Sequence, residues 1–525
     1  MKKFTASFFI IITALYIVIF LNISFFKEVL HVYPLTVSNI GFLLSLALVL
    51  YALIVILFSL VSFKHTLKPI LIIILLIASV IQYFMQSYHI IIDDTMIENI
   101  LQTDTSEASD LISLQFFISL FFLGIIPSVI VYKIPLKYRG LKTEIWQAFK
   151  RIMLHFGIII LLLFSFSKFY TSFFREHKTL RFYTNPTTPI YNLVSYTYSQ
   201  FKDTNIPMKI IGEDAKINPS LHTRRKIIIM VVGEAARYDH FSLNGYKKET
   251  NPLLKKENII NFTQMYSCGT TTAVSVPCMF SMYDRETYSS QKGYHTYNVL
   301  DILSHAGVEI LWRDNNSDSK GVAVRLNYQS YKTAQRNTLC DEECRDEGML
   351  VGLDKEIDKT DKDICIVLHQ MGNHGPAYYK RYPKSFETFT PVCKTNQLEN
   401  CTTEEISNAY DNALLYTDYF LSKVIHLLKK HEHTADTAML YIADHGESLG
   451  EHGFYLHGLP YFMAPEHQKH VGALFWLGKN FPTDTDVLKN RAKETYSQDN
   501  LFSTLLGLFH VKTKSYIQDM DILKP

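Results

Sequence analysis

The sequence predicts an α/β protein of two parts, in which five transmembrane helices precede a domain built on a mostly parallel sheet. The first third of the 525-residue chain holds five apolar runs, each near the length of about 20 residues that crosses a bilayer core. No comparable run follows, and short β-branched runs then alternate with helical stretches. We therefore expect a transmembrane domain at residues 1–170, a linker with an amphipathic helix at 171–223 and an α/β domain at 224–525.

The five runs lie at residues 4–26, 39–63, 69–89, 113–132 and 152–170. Helices in the core of a soluble protein interrupt their apolar face with charge every turn or so, and these runs do not. A cleaved signal peptide is the alternative for the first run. That run is too long for a signal peptide and no clear small-x-small cleavage site follows it, so we interpret it as a retained span.

The charge of the connecting segments sets the orientation. Basic residues occur in alternate segments, and by the positive-inside rule these segments are cytoplasmic. They are Lys2, Lys3, Lys64, Lys68, Lys133, Lys137, Arg139, Lys142, Lys150 and Arg151. With an odd number of spans, the chain after residue 170 lies outside the plasma membrane.

The segment between the third and fourth spans is acidic and contains no Lys or Arg. Within it Asn99, Thr103 and Glu107 are spaced four apart, so on a helix they form one polar stripe. Two interpretations are open. The segment is either a solvated acidic loop or a site for a cationic lipid headgroup at the membrane surface.

Overall charge excludes one class of partner. Lys and Arg number 52 and Asp and Glu number 50, for a net charge of +2, whereas a nucleic-acid-binding protein shows a concentrated basic surface. The hydrophobic fraction of 48% also excludes a largely disordered chain.

All 7 cysteines lie between Cys268 and Cys401, in the part assigned to the outside. An oxidising compartment favours disulfides, and the spacing suggests short local loops. The expected pairs are Cys268 with Cys278, Cys340 with Cys344, and Cys393 with Cys401. Cys365, in an apolar run, is expected to be a buried thiol. A zinc knuckle is the alternative for Cys340 and Cys344, but no second pair at ligand spacing accompanies them.

The α/β domain has its informative residues at the ends of its strands. We predict strands at 226–232, 308–312, 364–369, 438–443 and 473–477, and ligands bind beyond the carboxyl ends of such strands. Glu, Asp and His follow four of them, in the segments 233–237, 313–320, 369–376 and 444–448. One such residue after a strand is commonly a helix cap, but four strand ends that carry them indicate a metal site.

The ligand types point to zinc. Carboxylate oxygen and imidazole nitrogen together suit Zn²⁺ well and Mn²⁺ or Mg²⁺ less well. The chain has no HExxH pair and no Walker A loop, which excludes a helical zinc protease site and the commonest route to nucleotide use.

A threonine-rich segment, residues 267–278, offers a nucleophile. A disulfide would make this loop rigid, and the start of the following helix suits a phosphate anion. A divalent metal lowers the pKa of bound water from about 16 to about 7, and the same effect would activate a Thr hydroxyl. This combination predicts a covalent phospho-Thr and a two-step transfer. The alternative is a Thr-rich helix cap without chemistry.

Four long segments resemble a known family. They are Ser-Cys-Gly-Thr-Thr-Thr-Ala-Val-Ser-Val-Pro-Cys from residue 267, Trp-Arg-Asp-Asn-Asn-Ser-Asp-Ser-Lys from 312, His-Gln-Met-Gly-Asn-His-Gly-Pro from 369 and Asp-His-Gly-Glu-Ser-Leu-Gly from 444. The outward domain resembles the alkaline phosphatase and sulfatase superfamily, which implies an α/β/α sandwich. Over essentially its full length, the chain is similar to the lipid A phosphoethanolamine transferases of Gram-negative inner membranes.

The resemblance assigns roles to residues of the site. It implies that Thr272 is the nucleophile and that one catalytic zinc, with room for a second ion, is held by Glu234, Thr272, Asp444 and His445. His374 and His457 would meet the donor phosphate or a second metal, with protonation of the leaving group as a further task. Headgroup-binding positions are Asn316, Lys320 and Glu447. The stripe of Asn99, Thr103 and Glu107 would contribute to the donor site.

The expected function is zinc-dependent transfer of phosphoethanolamine from phosphatidylethanolamine to an envelope acceptor, with lipid A favoured over core sugars or other envelope molecules. The resemblance also implies an inner-membrane protein with a periplasmic catalytic domain, a link to polymyxin resistance, and action as a monomer on membrane lipid. Alternatives are a phosphoglycerol transferase, a membrane-anchored phosphatase or sulfatase, and a metal-dependent periplasmic sensor without catalysis.

Overall fold

A computed structural model describes residues 4–103, 105–203 and 206–524, and it describes their side chains except at 105–107, 199 and 201–203. The chain forms two compact units. One contains residues 1–97 and 112–200, and the other contains residues 98–111 and 201–525.

The first unit holds the membrane helices. Among the described residues, four helices are long and apolar enough to span a membrane, and a bent pair makes up to five. The four are Val37–Leu60, Leu67–Tyr88, Leu114–Lys133 and Leu141–Ser165, and the bent pair is Ala6–Phe20 with Ile23–Val32. The five predicted spans are therefore present when the bent pair counts as one span.

The first span is not the straight helix that its apolar run suggests. Its two helices meet at an angle of 55°, and Asn22 lies at the break. The Asn22 amide donates to the Asn185 carbonyl across 2.6 Å and accepts from the Asn185 backbone N–H across 2.9 Å. Both side chains are fully buried. Because a buried amide needs such partners, this pair accounts for the interruption.

The fifth span begins earlier than the predicted start at residue 152. Its helix runs over Leu141–Ser165 because Arg151, interpreted as a loop charge, is a buried helical residue. The Arg151 guanidinium donates to the hydroxyls of Ser7, Ser59 and Ser62 at 2.6–3.1 Å. A buried guanidinium with several acceptors is tolerated where an unpaired one is not.

Shorter helices complete the amino-terminal part of the chain. They are Asp94–Gln102, Thr105–Asp110, Ser167–Arg175, the 3₁₀ helix Lys178–Tyr183 and Thr187–Asp203. The last of these lies in the segment predicted as a linker with an amphipathic helix.

The second unit is built on a seven-stranded sheet. Its strands in chain order are β1 (Arg225–Gly233), β2 (Ile259–Phe262), β3 (Glu309–Asp314), β4 (Asn327–Ser330), β5 (Ile364–His369), β6 (Ala435–Ala443) and β7 (Ala473–Leu477). They lie in the order β2-β7-β6-β1-β5-β3-β4. Pairing is parallel from β6 to β4, and β7 is antiparallel to both neighbours.

The predicted α/β fold with a mostly parallel sheet is thus confirmed, with two strands that the sequence analysis missed. Both, β2 and β4, lie at the edges of the sheet. The β4 sequence Asn-Tyr-Gln-Ser is largely exposed. It therefore lacks the continuous apolar run that marks a strand buried on both faces.

Helices and small two-stranded pairs fill the rest of this unit. The helices are Thr272–Met279, Ser290–Tyr294, Val299–His305, Leu353–Ile357, Thr403–His431, Glu466–Lys469, Thr485–Arg491 and Leu501–Leu508. The longest begins with a capping box in which Thr402 and Glu405 satisfy each other's backbone N–H groups. It packs on β1 and β6, while Val299–His305 packs on β3.

Three local disulfides hold loops of the second unit. They join Cys268 with Cys278, Cys340 with Cys344 and Cys393 with Cys401, which are the pairs expected from the sequence. Cys365 is a free thiol, fully buried in β5, and burial raises its pKa to about 12.

Candidate active site

The candidate site lies where four parallel strands end together. In the sheet register, Gly233 at the end of β1 pairs with Ala443 at the end of β6, and Asp314 at the end of β3 pairs with His369 at the end of β5. The chain segments that leave these strands therefore start at one edge. This is the edge at which open α/β sheets bind ligands.

Thr272 meets two of these segments. It is the first residue of the helix Thr272–Met279, which the Cys268–Cys278 disulfide braces. The Thr272 hydroxyl donates to Glu234 Oε2 across 3.2 Å and lies 3.4 Å from His445 Nε2. All three side chains are buried. The threonine singled out in the sequence is thus in direct contact with two of the expected metal ligands.

Glu234, Asp444 and His445 offer ligand atoms that all lie within 4.8 Å of one another. His445 Nδ1 is 2.8 Å from the Gly446 carbonyl, and this contact turns Nε2 toward the carboxylates, at 3.5 Å from Glu234 and 3.4 Å from Asp444. Asp444 Oδ1 accepts two backbone N–H groups, but its Oδ2 is buried without a hydrogen-bond partner.

A buried carboxylate oxygen that lacks a donor is costly, and a divalent cation would supply the missing positive charge. The residues present therefore fit a metal ion. Zinc takes this mixture of carboxylate and imidazole ligands, and these three side chains with Thr272 would hold it.

Electrostatics support the same interpretation. Burial raises the pKa of the Asp444 carboxyl, and the neighbouring Glu234 carboxylate raises it further. Burial also disfavours the charged form of Glu234, but a hydrogen bond from His374 and the nearby His445 imidazole hold the pKa of Glu234 well below its usual range. Two carboxylates with opposed shifts share one buried space, and a cation between them would relieve that repulsion.

His374 and His457 border the same centre. His374 Nδ1 donates to Glu234 Oε1 across 3.2 Å. The His457 ring lies 4.1 Å from the His445 ring and 6.1 Å from the His374 ring, between centroids. His457 Nδ1 is 2.8 Å from Glu447 Oε2. Although burial favours neutral imidazole, the Glu447 carboxylate raises the pKa of His457, which suits an imidazole that gives up a proton.

The expected headgroup residues occupy two places. Asn316 donates to Glu234 Oε2 across 2.7 Å, so it lies beside the metal ligands, and Glu447 lies beside His457. Lys320 Nζ instead donates to the Gln102 carbonyl across 3.1 Å, and so contacts the acidic segment 98–111.

That segment carries the polar stripe. Asn99 is half-buried, and the Thr103 hydroxyl donates to the Asn99 carbonyl across 2.7 Å. The side chain of Glu107 lies outside the described residues. A cavity of about 370 Å³ adjoins the site and is lined by residues that include Ser109, Asp110, Asn316 and His374. The segment and the candidate centre therefore border one cavity.

Sequence reasoning missed three buried groups that support the site. Tyr378 donates to Glu447 Oε1 across 2.7 Å. Asp346 accepts the backbone N–H groups of Met371 and Gly372, and so fixes the loop that leads to His374. Arg381 donates to the His374 carbonyl across 2.5 Å. Tyr378 and Arg381 follow the recognised His374 segment closely, but none of the three directly follows a strand, so the strand-end rule did not select them.

A threonine at a helix start beside carboxylate and imidazole ligands, at the strand ends of a mostly parallel sheet, defines a member of the sulfatase and alkaline phosphatase superfamily. The Sulfatase family profile matches residues 226–511, more than half of the chain. A second profile, Phosphoethanolamine transferase EptA/EptB, matches residues 50–201.

Known proteins match the chain over nearly its whole length. It is 43% identical to phosphatidylethanolamine transferase Mcr-2 of Escherichia coli in an alignment of 513 residues that covers 95% of this chain and 94% of Mcr-2. It is 42% identical to phosphoethanolamine transferase EptA of Escherichia coli K12, covering 98% of this chain and 96% of EptA. The solved structure of the integral membrane protein lipooligosaccharide phosphoethanolamine transferase A (EptA) from Neisseria meningitidis matches with a TM-score of 0.95 and 34% identity, covering 100% of both chains.

The chain belongs to the lipid A phosphoethanolamine transferase family, as its motifs predict, and it is a phosphoethanolamine transferase. It is a multi-pass protein of the bacterial inner membrane with its catalytic domain in the periplasm, which confirms the predicted localisation.

Proposed function

We propose that this enzyme takes phosphoethanolamine from phosphatidylethanolamine, holds it on Thr272 and passes it to lipid A. The observation that carries the proposal is the position of the Thr272 hydroxyl between Glu234 Oε2 at 3.2 Å and His445 Nε2 at 3.4 Å. A hydroxyl of ordinary pKa is a weak nucleophile. A bound zinc ion would lower that pKa and neutralise charge on a phosphoryl oxygen.

In the first step, the Thr272 hydroxyl loses its proton to water, and Oγ1 forms a bond to the donor phosphorus. The bond between phosphorus and the diacylglycerol oxygen breaks. His457, whose pKa the Glu447 carboxylate raises, would give the leaving oxygen its proton. His374 and Asn316, both in contact with Glu234, would orient the phosphoryl oxygens.

In the second step, an oxygen of the acceptor attacks the phosphorus, and the bond to Thr272 Oγ1 breaks. The acceptor oxygen gives its proton to His457, which lost one in the first step, the Thr272 oxygen recovers a proton from water, and the acceptor leaves with phosphoethanolamine. The partial positive charge at the amino end of the helix Thr272–Met279 would favour the phosphate on Thr272 in both steps. Attachment to the membrane would keep the catalyst on the surface that the lipid donor and acceptor share, which would make their encounter two-dimensional.

The ethanolamine ammonium would be met by the segment that carries Asn99, Thr103 and Glu107. This segment is acidic, and Lys320 of the α/β domain donates to its Gln102 carbonyl. The proposal includes one zinc held by Glu234, Thr272, Asp444 and His445. It also includes His374 and His457 as residues that contact the donor phosphate.

Mass analysis of lipid A tests the donor and the acceptor together. Cells that express the chain should carry phosphoethanolamine on lipid A, and isotope-labelled phosphatidylethanolamine should supply the label. Thr272→Ala should leave lipid A unmodified. Thr271→Ala, which removes the neighbouring hydroxyl, should still modify lipid A. A glycan or another envelope molecule that gains the group while lipid A stays unmodified would contradict the proposed acceptor.

A further inference from the structure

Arg381 joins three separate segments of the second unit. Its Nε donates to the His374 carbonyl across 2.5 Å, and its Nη2 donates to Asp110 Oδ2 across 2.7 Å. Its Nη1 donates to Glu343 Oε1, inside the loop closed by the Cys340–Cys344 disulfide. The side chain is only 2% exposed. Each arm of the guanidinium therefore ends on a different part of the wall around the cavity.

Asp110 ends the segment that carries Asn99 and Thr103. This segment is attached to the α/β unit at both ends. Near its start, Ser290 donates to Glu98 Oε2 across 2.6 Å and Lys320 donates to the Gln102 carbonyl. Near its end, Asp110 accepts from Arg381, and Asn396 donates to the Asp110 carbonyl across 2.7 Å. Both described ends of the segment are thus held by side chains of the α/β domain, and Ser109 and Asp110 at its second end line the cavity.

We propose that Arg381 is a positioning residue for phosphoryl transfer. Through Asp110 and the His374 carbonyl, Arg381 fixes the position of the segment 98–111 relative to the His374 imidazole, which would contact the donor phosphate. The inference rests on the proposed function, because it takes its effect through the roles of His374 and of the segment 98–111.

The chemistry requires arginine at this position. A guanidinium presents its donors in a rigid planar fork, whereas a lysine ammonium is a compact charge on a flexible stem that cannot hold three acceptors in this geometry. The Asp110 and Glu343 carboxylates also compensate the charge of a fully buried cation. Arg381→Lys therefore keeps the charge but releases one or more of the three segments.

A neighbouring residue supplies a matched control. Lys380 Nζ also pairs with Asp110, at 2.6 Å, but its side chain is 30% exposed. Lys380→Ala removes one cation from the Asp110 carboxylate and leaves the contacts of Arg381 with Asp110 and with the His374 carbonyl in place. The comparison separates the loss of a contact to Asp110 from the loss of the link to His374.

The test measures steady-state transfer by the full chain in lipid nanodiscs, with a fluorescent phosphatidylethanolamine as donor and lipid A as acceptor, for four forms besides the unaltered chain. These are Arg381→Lys, Asp110→Asn, the double variant and Lys380→Ala. Rates are divided by the folded fraction, taken from near-UV circular dichroism, so that misfolding alone does not lower the result. Asp110→Asn, which changes charge and not shape, serves if Arg381→Lys does not fold.

We expect kcat of Arg381→Lys to fall by about 10- to 100-fold, the cost of displacing a positioned group by about 1 Å. Asp110→Asn should lower kcat less than Arg381→Lys. The double variant should be no slower than Arg381→Lys, because both changes break the same link, the one that Arg381 makes between Asp110 and the His374 carbonyl. Lys380→Ala should lower kcat much less than Arg381→Lys does, because Arg381 still links Asp110 to the His374 carbonyl.

Failure of the positioning role and failure of the proposed function give different results. If the unaltered chain transfers the group and Arg381→Lys matches its rate per folded protein, or if the losses in the double variant simply multiply, the positioning role is overturned and the proposed function stands. If the unaltered chain does not consume the donor, the proposed function itself is contradicted.

Discussion

The hydroxyl of Thr272 donates to Glu234 Oε2 across 3.2 Å, although the two residues are 38 positions apart in the chain. Glu234 leaves a central strand, and Thr272 starts a helix that a disulfide braces. The contact therefore depends on two elements that are each rigid for separate reasons. A nucleophile held in this way needs little reorganisation before it attacks.

Removal of metal should inactivate the enzyme and expose the repulsion between its carboxylates. Asp444 Oδ2 has no hydrogen-bond partner, so in chelator-treated protein Asp444→Asn should raise the free energy of unfolding by about 1–3 kcal/mol. The same variant should lose the thermal stabilisation that added zinc gives the unaltered chain. Differential scanning calorimetry with and without zinc measures both effects, and Asp519→Asn, at an exposed carboxylate, is the control. If added zinc stabilises Asp444→Asn as much as the unaltered chain, Asp444 is not a zinc ligand.

Stability toward acid should depend on Asp110. Burial would raise the pKa of this carboxyl, but Arg381 and Lys380 lower it below its usual value. A carboxyl whose folded-state pKa is depressed contributes stability above its unfolded value of about 3.9, and this contribution is lost as pH falls through the folded-state pKa. The unaltered chain should therefore be more stable than Asp110→Asn at pH 7, by about 2 kcal/mol.

The difference between the two forms should shrink as pH falls below about 4. Urea unfolding of the full chain at a series of pH values measures it, with Asp519→Asn as a control that should show no such trend. A difference that stays constant down to pH 3 would show that Asp110 contributes through its shape and not through its charge.

The disulfide next to the nucleophile should matter for rate as well as stability. Cys268→Ser with Cys278→Ser should lower the free energy of unfolding by about 2–4 kcal/mol. It should also slow transfer per folded molecule, because it frees the start of the helix that carries Thr272. Leu505→Ala, at a fully buried position in the helix Leu501–Leu508, should cost about 2–5 kcal/mol of stability without that fall in rate per folded molecule. Equal rates per folded molecule in the two variants would contradict the bracing role.

Tyr378 should act through Glu447. Tyr378→Phe removes the donor to Glu447 Oε1 and leaves a buried carboxylate short of one hydrogen bond, at a cost of about 1.5 kcal/mol. If the lost hydrogen bond raises the activation free energy of transfer by this amount, kcat/KM should fall about tenfold. Tyr379→Phe, at the half-buried neighbour, is the matched control. A rate for Tyr378→Phe equal to that of the control would indicate that Glu447 needs only His457.

The central sheet and the core of the site were accessible from sequence because their signals are local. The buried parallel strands β1, β5 and β6 are continuous apolar runs, and polar residues such as Glu234 and Asp444 follow them directly. The rule that ligands bind at the carboxyl ends of such strands then brings the residues together without knowledge of the fold. Thr272 needed the resemblance, since a threonine at a helix start is commonly only a cap.

Other features depend on partners far away in the chain. Arg151 looked like a loop charge because its three serine partners are at least 89 residues distant. The bend at Asn22 depends on Asn185, and the contact between Arg381 and Asp110 spans 271 residues. Such pairs leave no local pattern, and hydropathy averages hide single polar residues within apolar runs.

Intact-protein mass spectrometry tests the central assignment most directly. The full chain, incubated with phosphatidylethanolamine and without acceptor, should gain the mass of one phosphoethanolamine group, and peptide fragmentation should place it on Thr272. Thr272→Ala should gain none, and lipid A added to the loaded chain should remove the group. A group of this mass on another residue, or transfer to lipid A at an unchanged rate by Thr272→Ala, would contradict the account.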